Sequence, residues 1–208
     1  SKTILNIITM IDTLYLGPEY DLSHIEGDTV NSMYVARLIE ERNVVAIFQG
    51  RSEAGPRALG NRSILYDPRD PDGKDRINRI KQRESFRPFA GSVLLPHAHE
   101  WFDMGGLDES PFMMYAVDAL PHTHDKIPAI LHIDHTCRIQ TVGLKDNTNY
   151  YQLIDSFYQL TSVPILFNTS FNLSGDPLVE TPEDAIECFE CSEIDYIYFP
   201  DVQKLRGK

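Results

Sequence analysis

The chain has 208 residues, 31 Asp and Glu against 19 Lys and Arg, and a formal net charge of −12. That length supplies one large domain, or one domain with an appended arm, with a hydrophobic core of its own. No apolar run reaches the roughly 20 residues that cross a bilayer, and the acidic balance excludes the broad basic face that a nucleic-acid partner requires. Three cysteines (Cys137, Cys188, Cys191) are too few and too odd for a disulfide framework. They fit a reducing, cytoplasmic setting, with neither nucleic acid nor membrane as a partner.

Residues 1–27 read as a lead-in or linker from an upstream domain, with an apolar stretch from Ile4 to Leu16 followed by an acidic, turn-rich GPEYDLSHIEGD. The opening has no basic region, apolar block and cleavage site of a signal peptide. The domain proper is expected to run over 28–208. Asp28 reads as the cap of an amphipathic helix to about Arg42, and Val44–Gln49 as a short buried strand. A long breaker-rich loop follows (Gly50, Gly55, Pro56, Gly60, Pro68, Pro71, Gly73), whose Ala58, Leu59, Ile64 and Leu65 require it to fold down onto the protein. Lys74–Gln82 reads as a helix with Ile77 and Ile80 inward. Ala90–Leu95 and Phe112–Val117 read as strands, and Ile130–Val142 as a strand or bent hairpin. Thr148–Leu160 reads as a helix and Pro164–Asn168 as a buried strand entering the turn TSFNLSGDP. Thr181-Pro182-Glu183-Asp184 is a helix start of the capping-box kind, and IDYIYF supplies a last strand. Interleaved strands and helices without repeat give a mixed α/β class.

The chemistry concentrates between Arg51 and Arg87. That segment holds ten of the 19 Lys and Arg against six acids, a local +4 in a chain whose remainder sums to −16. A positive island in an acidic protein suits a small anionic ligand such as a phosphate or nucleotide. Lys81 and Arg83 offer a point charge and a bidentate fork for oxyanions, or a solvated helix end whose cations answer the helix dipole. Arg87, set in Phe86-Arg87-Pro88-Phe89, is expected to be partly buried and to need an anion. Just past the strand PILF, Asn168, Ser170 and Asn172 offer donors for phosphate oxygens, or simply close a turn. The histidine pairs at 97/99, 122/124 and 132/135 match no zinc spacing, and Cys188-Phe-Glu-Cys191 has no second pair. Asp67–Asp75 reads as a solvated turn, or as a turn one of whose acids holds Mg²⁺.

K-x-R at Lys81–Arg83 paired with S-x-N at Ser170–Asn172 resembles the signature of YrdC/Sua-type ATP-binding domains. More specifically, GRSEAGPRALGNRSI, KQRESFRPFA, HIDHTCRIQTV and NTSFN, in this order, resemble the C-terminal domain of the O-carbamoyltransferases (nodulation protein U, cephalosporin and tobramycin carbamoyltransferase types). The likeness runs from about Gly17 to Pro200. It departs from the family pattern at Ala54, where an aromatic is usual, and at His135 and Cys137, where small residues are usual.

The resemblance implies a YrdC-like twisted mixed sheet flanked by helices. It implies that the domain takes carbamoyl phosphate and ATP with Mg²⁺ and makes carbamoyl-adenylate. An actin/hexokinase-like N-terminal domain, which alone carries an iron site, then moves the carbamoyl group to a hydroxyl acceptor. Carried over by position, Lys81, Arg83, Arg138 and Ser170 are the expected catalytic residues. Arg51, Arg57, Arg62, Arg87, Asn168 and Asn172 are the expected substrate- and nucleotide-binding residues, with Asn61 a weaker candidate beside them. No metal ligand is assigned within this chain. The competing readings are a threonylcarbamoyl-adenylate-type enzyme and a non-catalytic nucleotide-binding module.

Overall fold

The computed structural model describes residues 14–84 and 86–208; most of the expected apolar stretch Ile4–Leu16 lies outside them. Among these residues ten strands make one mixed sheet: β1 (Asp28–Thr29), β2 (Val45–Phe48), β3 (Arg62–Tyr66), β4 (Ala90–Leu94), β5 (Phe102–Asp103), β6 (Ala116–Ala119), β7 (Thr136–Val142), β8 (Ile165–Ser170), β9 (Tyr196–Phe199) and β10 (Lys204–Gly207). Their spatial order is β1-β10-β9-β2-β3-β8-β4-β7-β6-β5. The pairs β2–β9 and β4–β7 are parallel and the others antiparallel. The central strands β2, β3 and β4 are buried at every position, the signature of a sheet covered on both faces. On β6, toward one edge, burial alternates, as it does when one face meets solvent.

Among the described residues five α-helices accompany the sheet: α1 (Ser32–Glu40), α2 (Gly73–Ile80), α3 (Ala98–Trp101), α4 (Thr148–Thr161) and α5 (Pro182–Cys191). α1 packs along α4, which in turn lies on β4 and β8. Each long helix starts where its sequence supplies an oxygen for an orphan amide. Asn31 accepts from Tyr34 N–H at α1, Asn147 from Tyr150 N–H at α4, and Thr181 and Asp184 exchange a full capping box at α5. One large core runs through the sheet and helices; a small satellite of Leu59, Ala90 and Met113 sits apart from it, with Leu14 against it.

Several expected elements shift. The first helix starts at Ser32 rather than Asp28, because Asn31 is the residue whose side chain caps it; Asp28 and Thr29 instead pair with Leu205 and Lys204. The breaker-rich segment contains a fully buried strand, β3, pinned between β2 and β8. The expected strand at Phe112–Val117 begins only at Ala116, since Met113 takes φ +54° and turns the chain. Likewise β7 starts at Thr136, after a turn in which Asp134 Oδ1 accepts from Thr136 N–H and Oγ–H and His135 adopts φ +62°. Residues 14–27, expected as a linker, are anchored to the domain: Leu22 and Ile25 enter the core and Tyr20 packs on Phe48.

Candidate anion-binding site

The register of the sheet builds the site. Leu65, Asn168, Ala90, Arg138 and Ala116 fall in one transverse row across β3, β8, β4, β7 and β6, with Ser63 opposite Ser170 one step toward the sheet end. Alternation then puts Ser63, Ser170, Asn168, Ser92, Gln140 and Arg138 on one face. This polar stripe is covered by the loop Arg57–Asn61, which it holds by its backbone. Asn168 Nδ2 donates to Ala58 O (3.1 Å) and to Ser92 Oγ (2.9 Å), Gln140 Nε2 donates to Leu59 O (2.9 Å), and Gly60 N–H donates to Ser63 Oγ (3.0 Å). Gly60 sits at φ +107°, where a side chain would collide with the Tyr150 ring, so only glycine makes this turn.

Cations line the space beside the loop. Lys81 ends α2 and is almost wholly buried. Its Nζ donates among Ser170 O (2.6 Å), Asn172 Oδ1 (2.9 Å), Asn172 O (3.0 Å) and Ser170 Oγ (3.2 Å). Ser170 Oγ–H donates in turn to Asn172 Oδ1 (2.7 Å), whose amide donates to Asp176 O. The K-x-R and S-x-N motifs, 89 residues apart at Lys81 and Ser170, therefore meet directly. Burial, then the neighbouring Arg83 charge, push the Lys81 ammonium down to about 7. Arg83 is steered by Asn78 Oδ1 (2.7 Å) and lies over the Phe89 ring at 4.2 Å. Its guanidinium is lowered to about 10, first by burial and then by the charges of Arg87 and Arg138. Arg138 is lowered by burial and by Arg57.

Lys81, Arg83, Arg138 and Arg57 thus form an unbroken series of like-charge neighbours. Among the described residues, Arg57, Arg83 and Arg138 form no ion pair within 4 Å. Each also keeps a buried N–H without a partner: Arg57 Nε, Arg83 Nη2 and Arg138 Nε. Buried donors go unpaired only rarely in folded proteins. Three of them fall in one cationic cluster, where the charge of Glu84 answers Arg83 only in part.

The other expected residues sit elsewhere. Arg62 is fully buried, donates to the carbonyls of Gln49, Gly50, Asn61 and Glu180, and stacks 3.6 Å over Phe48, so it holds the β2–β3 end together; its Nε–H is likewise buried without a partner, but four carbonyls rather than other cations surround its guanidinium. Arg87 is corrected in its burial, being exposed and paired with Glu84 at 2.9 Å. Arg51 is exposed, paired with Glu19 at 3.0 Å, and lines a separate opening with Tyr15, Asn147 and Asp201. Asn61 bridges Arg51 O and Asn147 on that side. Asn168 lies behind the Arg57 loop, 1% exposed, where it positions backbone. Asn172 faces a cleft of about 380 Å³ shared with Asp176, Leu178, Glu187 and Cys188.

Sequence reasoning missed Gln140, Ser92, Asn78 and Glu53, all of which act on backbone or on another side chain. Gln140 and Ser92 leave a faint signal, polar residues inside otherwise apolar strands. Among the described residues no group of three or more His, Cys, Asp or Glu is placed to hold a metal, and no helix is long and apolar enough to cross a membrane.

The ten-stranded mixed sheet with flanking helices has a YrdC-like α/β fold, and the cationic cluster lies at the end where β3, β4 and β7 begin and β8 ends. Two solved structures share the fold. The phosphate- and nucleotide-bound form of HypF gives TM-score 0.54 at 16% identity over 82% of this chain and 27% of its own. P. abyssi Sua5 complexed with L-threonine gives 0.54 at 14% identity over 81% of this chain and 46% of its own. The family model Carbamoyltransferase C-terminus matches residues 36–204, and the chain belongs to that family. Nodulation protein NolO of Bradyrhizobium diazoefficiens is 48% identical over 154 residues, which is 73% of this chain and 28% of NolO. The chain spans about a third or less of the length of such curated relatives.

Proposed function

We propose that this domain binds carbamoyl phosphate and ATP and forms carbamoyl-adenylate, which a separate N-terminal domain passes to a hydroxyl acceptor. The observation that carries the reading is the run of neighbouring guanidinium groups Arg83, Arg138 and Arg57, none of them in an ion pair and each with a buried N–H that has no partner. Atom balance requires one water. Carbamoyl phosphate plus water gives carbamate and inorganic phosphate, and a carbamate oxygen then attacks the α-phosphorus of ATP and displaces pyrophosphate. Every species on that path is an oxyanion, and no protein nucleophile is needed; Ser170 Oγ is engaged with Lys81 and Asn172. Catalysis then rests on neutralising charge and holding an in-line approach. Arg57, Arg83 and Arg138 supply the forks, and Lys81 holds the Ser170–Asn172 turn in place. Mg²⁺ belongs with the nucleotide as substrate, since the described residues offer no carboxylate cage for it.

Membership of the carbamoyltransferase C-terminal family supports carbamoyl phosphate as the acyl source. A solved structure that shares the fold over 27% of its chain, full-length HypF, is a phosphate- and nucleotide-bound form, which is in keeping with the reading. The test is calorimetric titration of the 208-residue chain with carbamoyl phosphate and, separately, Mg–ATP. Binding of both, weakened in Arg83→Met, is expected. Binding of neither, or pyrophosphate release driven by threonine with bicarbonate instead of carbamoyl phosphate, would overturn the proposal.

A further inference from the structure

The buried carboxylate of Glu53 is used by no step above. Its Oε1 accepts from three backbone amides: Leu59 N–H (2.7 Å), Asn61 N–H (2.7 Å) and Arg62 N–H (3.3 Å). The same short stretch is held from its other side. The carbonyls of Ala58, Leu59 and Gly60 are taken by Asn168, Gln140 and Gln49, and the Gly60 amide by Ser63. Nearly every polar backbone group from Ala58 to Arg62 is therefore bound by a side chain, and Glu53 alone supplies three of those bonds. A strap closes over it. Tyr15 bridges to Glu53 in antiparallel fashion, Ala54 N–H donates to Leu14 O and Gly17 N–H to Ser52 O, while Tyr15 Oη–H reaches Leu59 O at 3.4 Å. Directly before the clamped stretch stands Arg57, whose buried Nε–H has no partner.

We propose that Glu53 is a positioning residue for Arg57: it gathers the amides of residues 59–62 onto one oxygen and so fixes the direction in which the Arg57 guanidinium enters the anion site. This rests on the reading that the Arg57–Arg138 pocket binds carbamoyl phosphate or ATP. A carboxylate acting by reach and one acting by charge separate cleanly by substitution. Glu53→Asp keeps the charge and retracts the acceptor by one methylene; Glu53→Gln keeps the acceptor and removes the charge. Fixed geometry at an anion site is worth large factors, so a withdrawn clamp costs roughly tenfold in affinity.

The experiment measures dissociation constants of carbamoyl phosphate and Mg–ATP for wild type, Glu53→Asp, Glu53→Gln, Arg57→Ala and the Glu53→Asp/Arg57→Ala double variant, with amide hydrogen exchange at residues 59–62. For whichever of the two ligands Arg57→Ala weakens, Glu53→Asp is expected to bind roughly tenfold more weakly with faster exchange. Glu53→Gln is expected to stay within about threefold of wild type, and the double variant to match Arg57→Ala alone. Losses in Glu53→Asp and Arg57→Ala that multiply, or a Gln variant worse than the Asp variant, would overturn the positioning role while leaving the ligand assignment standing. A wild type that binds neither ligand would overturn both.

Discussion

Arg138 is the sharpest point at which a ligand-binding and a structural arginine part company. Its surroundings are unfavourable to it: burial and the Arg57 charge both act against the guanidinium, and its Nε–H has no acceptor. Arg138→Met keeps the apolar stem and removes the charge. The substitution takes away a half-buried cation that has no counter-ion, so the empty protein should be unchanged or more stable by up to about 1 kcal/mol. Ligand binding should move the other way. A charge-assisted hydrogen bond with water excluded contributes about 1.5–3 kcal/mol, so the carbamoyl phosphate dissociation constant should rise roughly 10- to 150-fold. Calorimetric titration with denaturant unfolding on the same samples reads both quantities. A variant that loses stability and affinity together would refute the reasoning, since that is the behaviour of an arginine serving the fold.

Lys81 should give the domain a pH signature. Its native value, about 7, lies below the ordinary 10.5. Between those limits the unfolded chain holds a proton that the native state lacks, so its contribution to stability rises with pH across that window and is absent below 7. The gain is at most about 5 kcal/mol by linkage, offset in part by the four oxygens that hold the ammonium. Comparing wild type with Lys81→Met in denaturant at pH 6 and pH 9 measures it. An anion bound nearby restores the ammonium, so ATP binding at pH 8 should take up protons, visible as a dependence of the calorimetric heat on buffer ionisation enthalpy. Arg62→Ala should cost about 3–5 kcal/mol of stability, because it strands buried carbonyls; a change under 1 kcal/mol in urea unfolding would place Arg62 outside the fold's support. Thr181→Ala breaks the capping box of α5 and should cost about 1 kcal/mol with no change in ligand affinity.

The charge island and the pairing of Lys81 with the Ser170–Asn172 turn were legible in the sequence because they depend on residue type and order. What divides Arg62 from Arg138 was not. Both are strand arginines, and the difference lies in what surrounds them: four carbonyls and a Phe ring around one, other cations around the other. β3 was hidden for a related reason. Its Arg62-Ser63 start reads as loop between Gly60 and Pro68, and only pairing with β2 and β8 makes it a strand. Glu53 left no sequence signal at all, since its three partners are backbone amides that any residue would present. Arg87 shows the opposite failure: flanking aromatics suggested burial, yet Phe86 stands 80% exposed and Arg87 with it.

The central claim is that this pocket activates a carbamoyl group at the expense of ATP. The most direct measurement is exchange of labelled pyrophosphate into ATP by the 208-residue chain, with and without carbamoyl phosphate. The account predicts exchange that depends on carbamoyl phosphate and is lost in Arg138→Met. Exchange that proceeds equally without carbamoyl phosphate, or no exchange in a chain that binds both ligands, would contradict it.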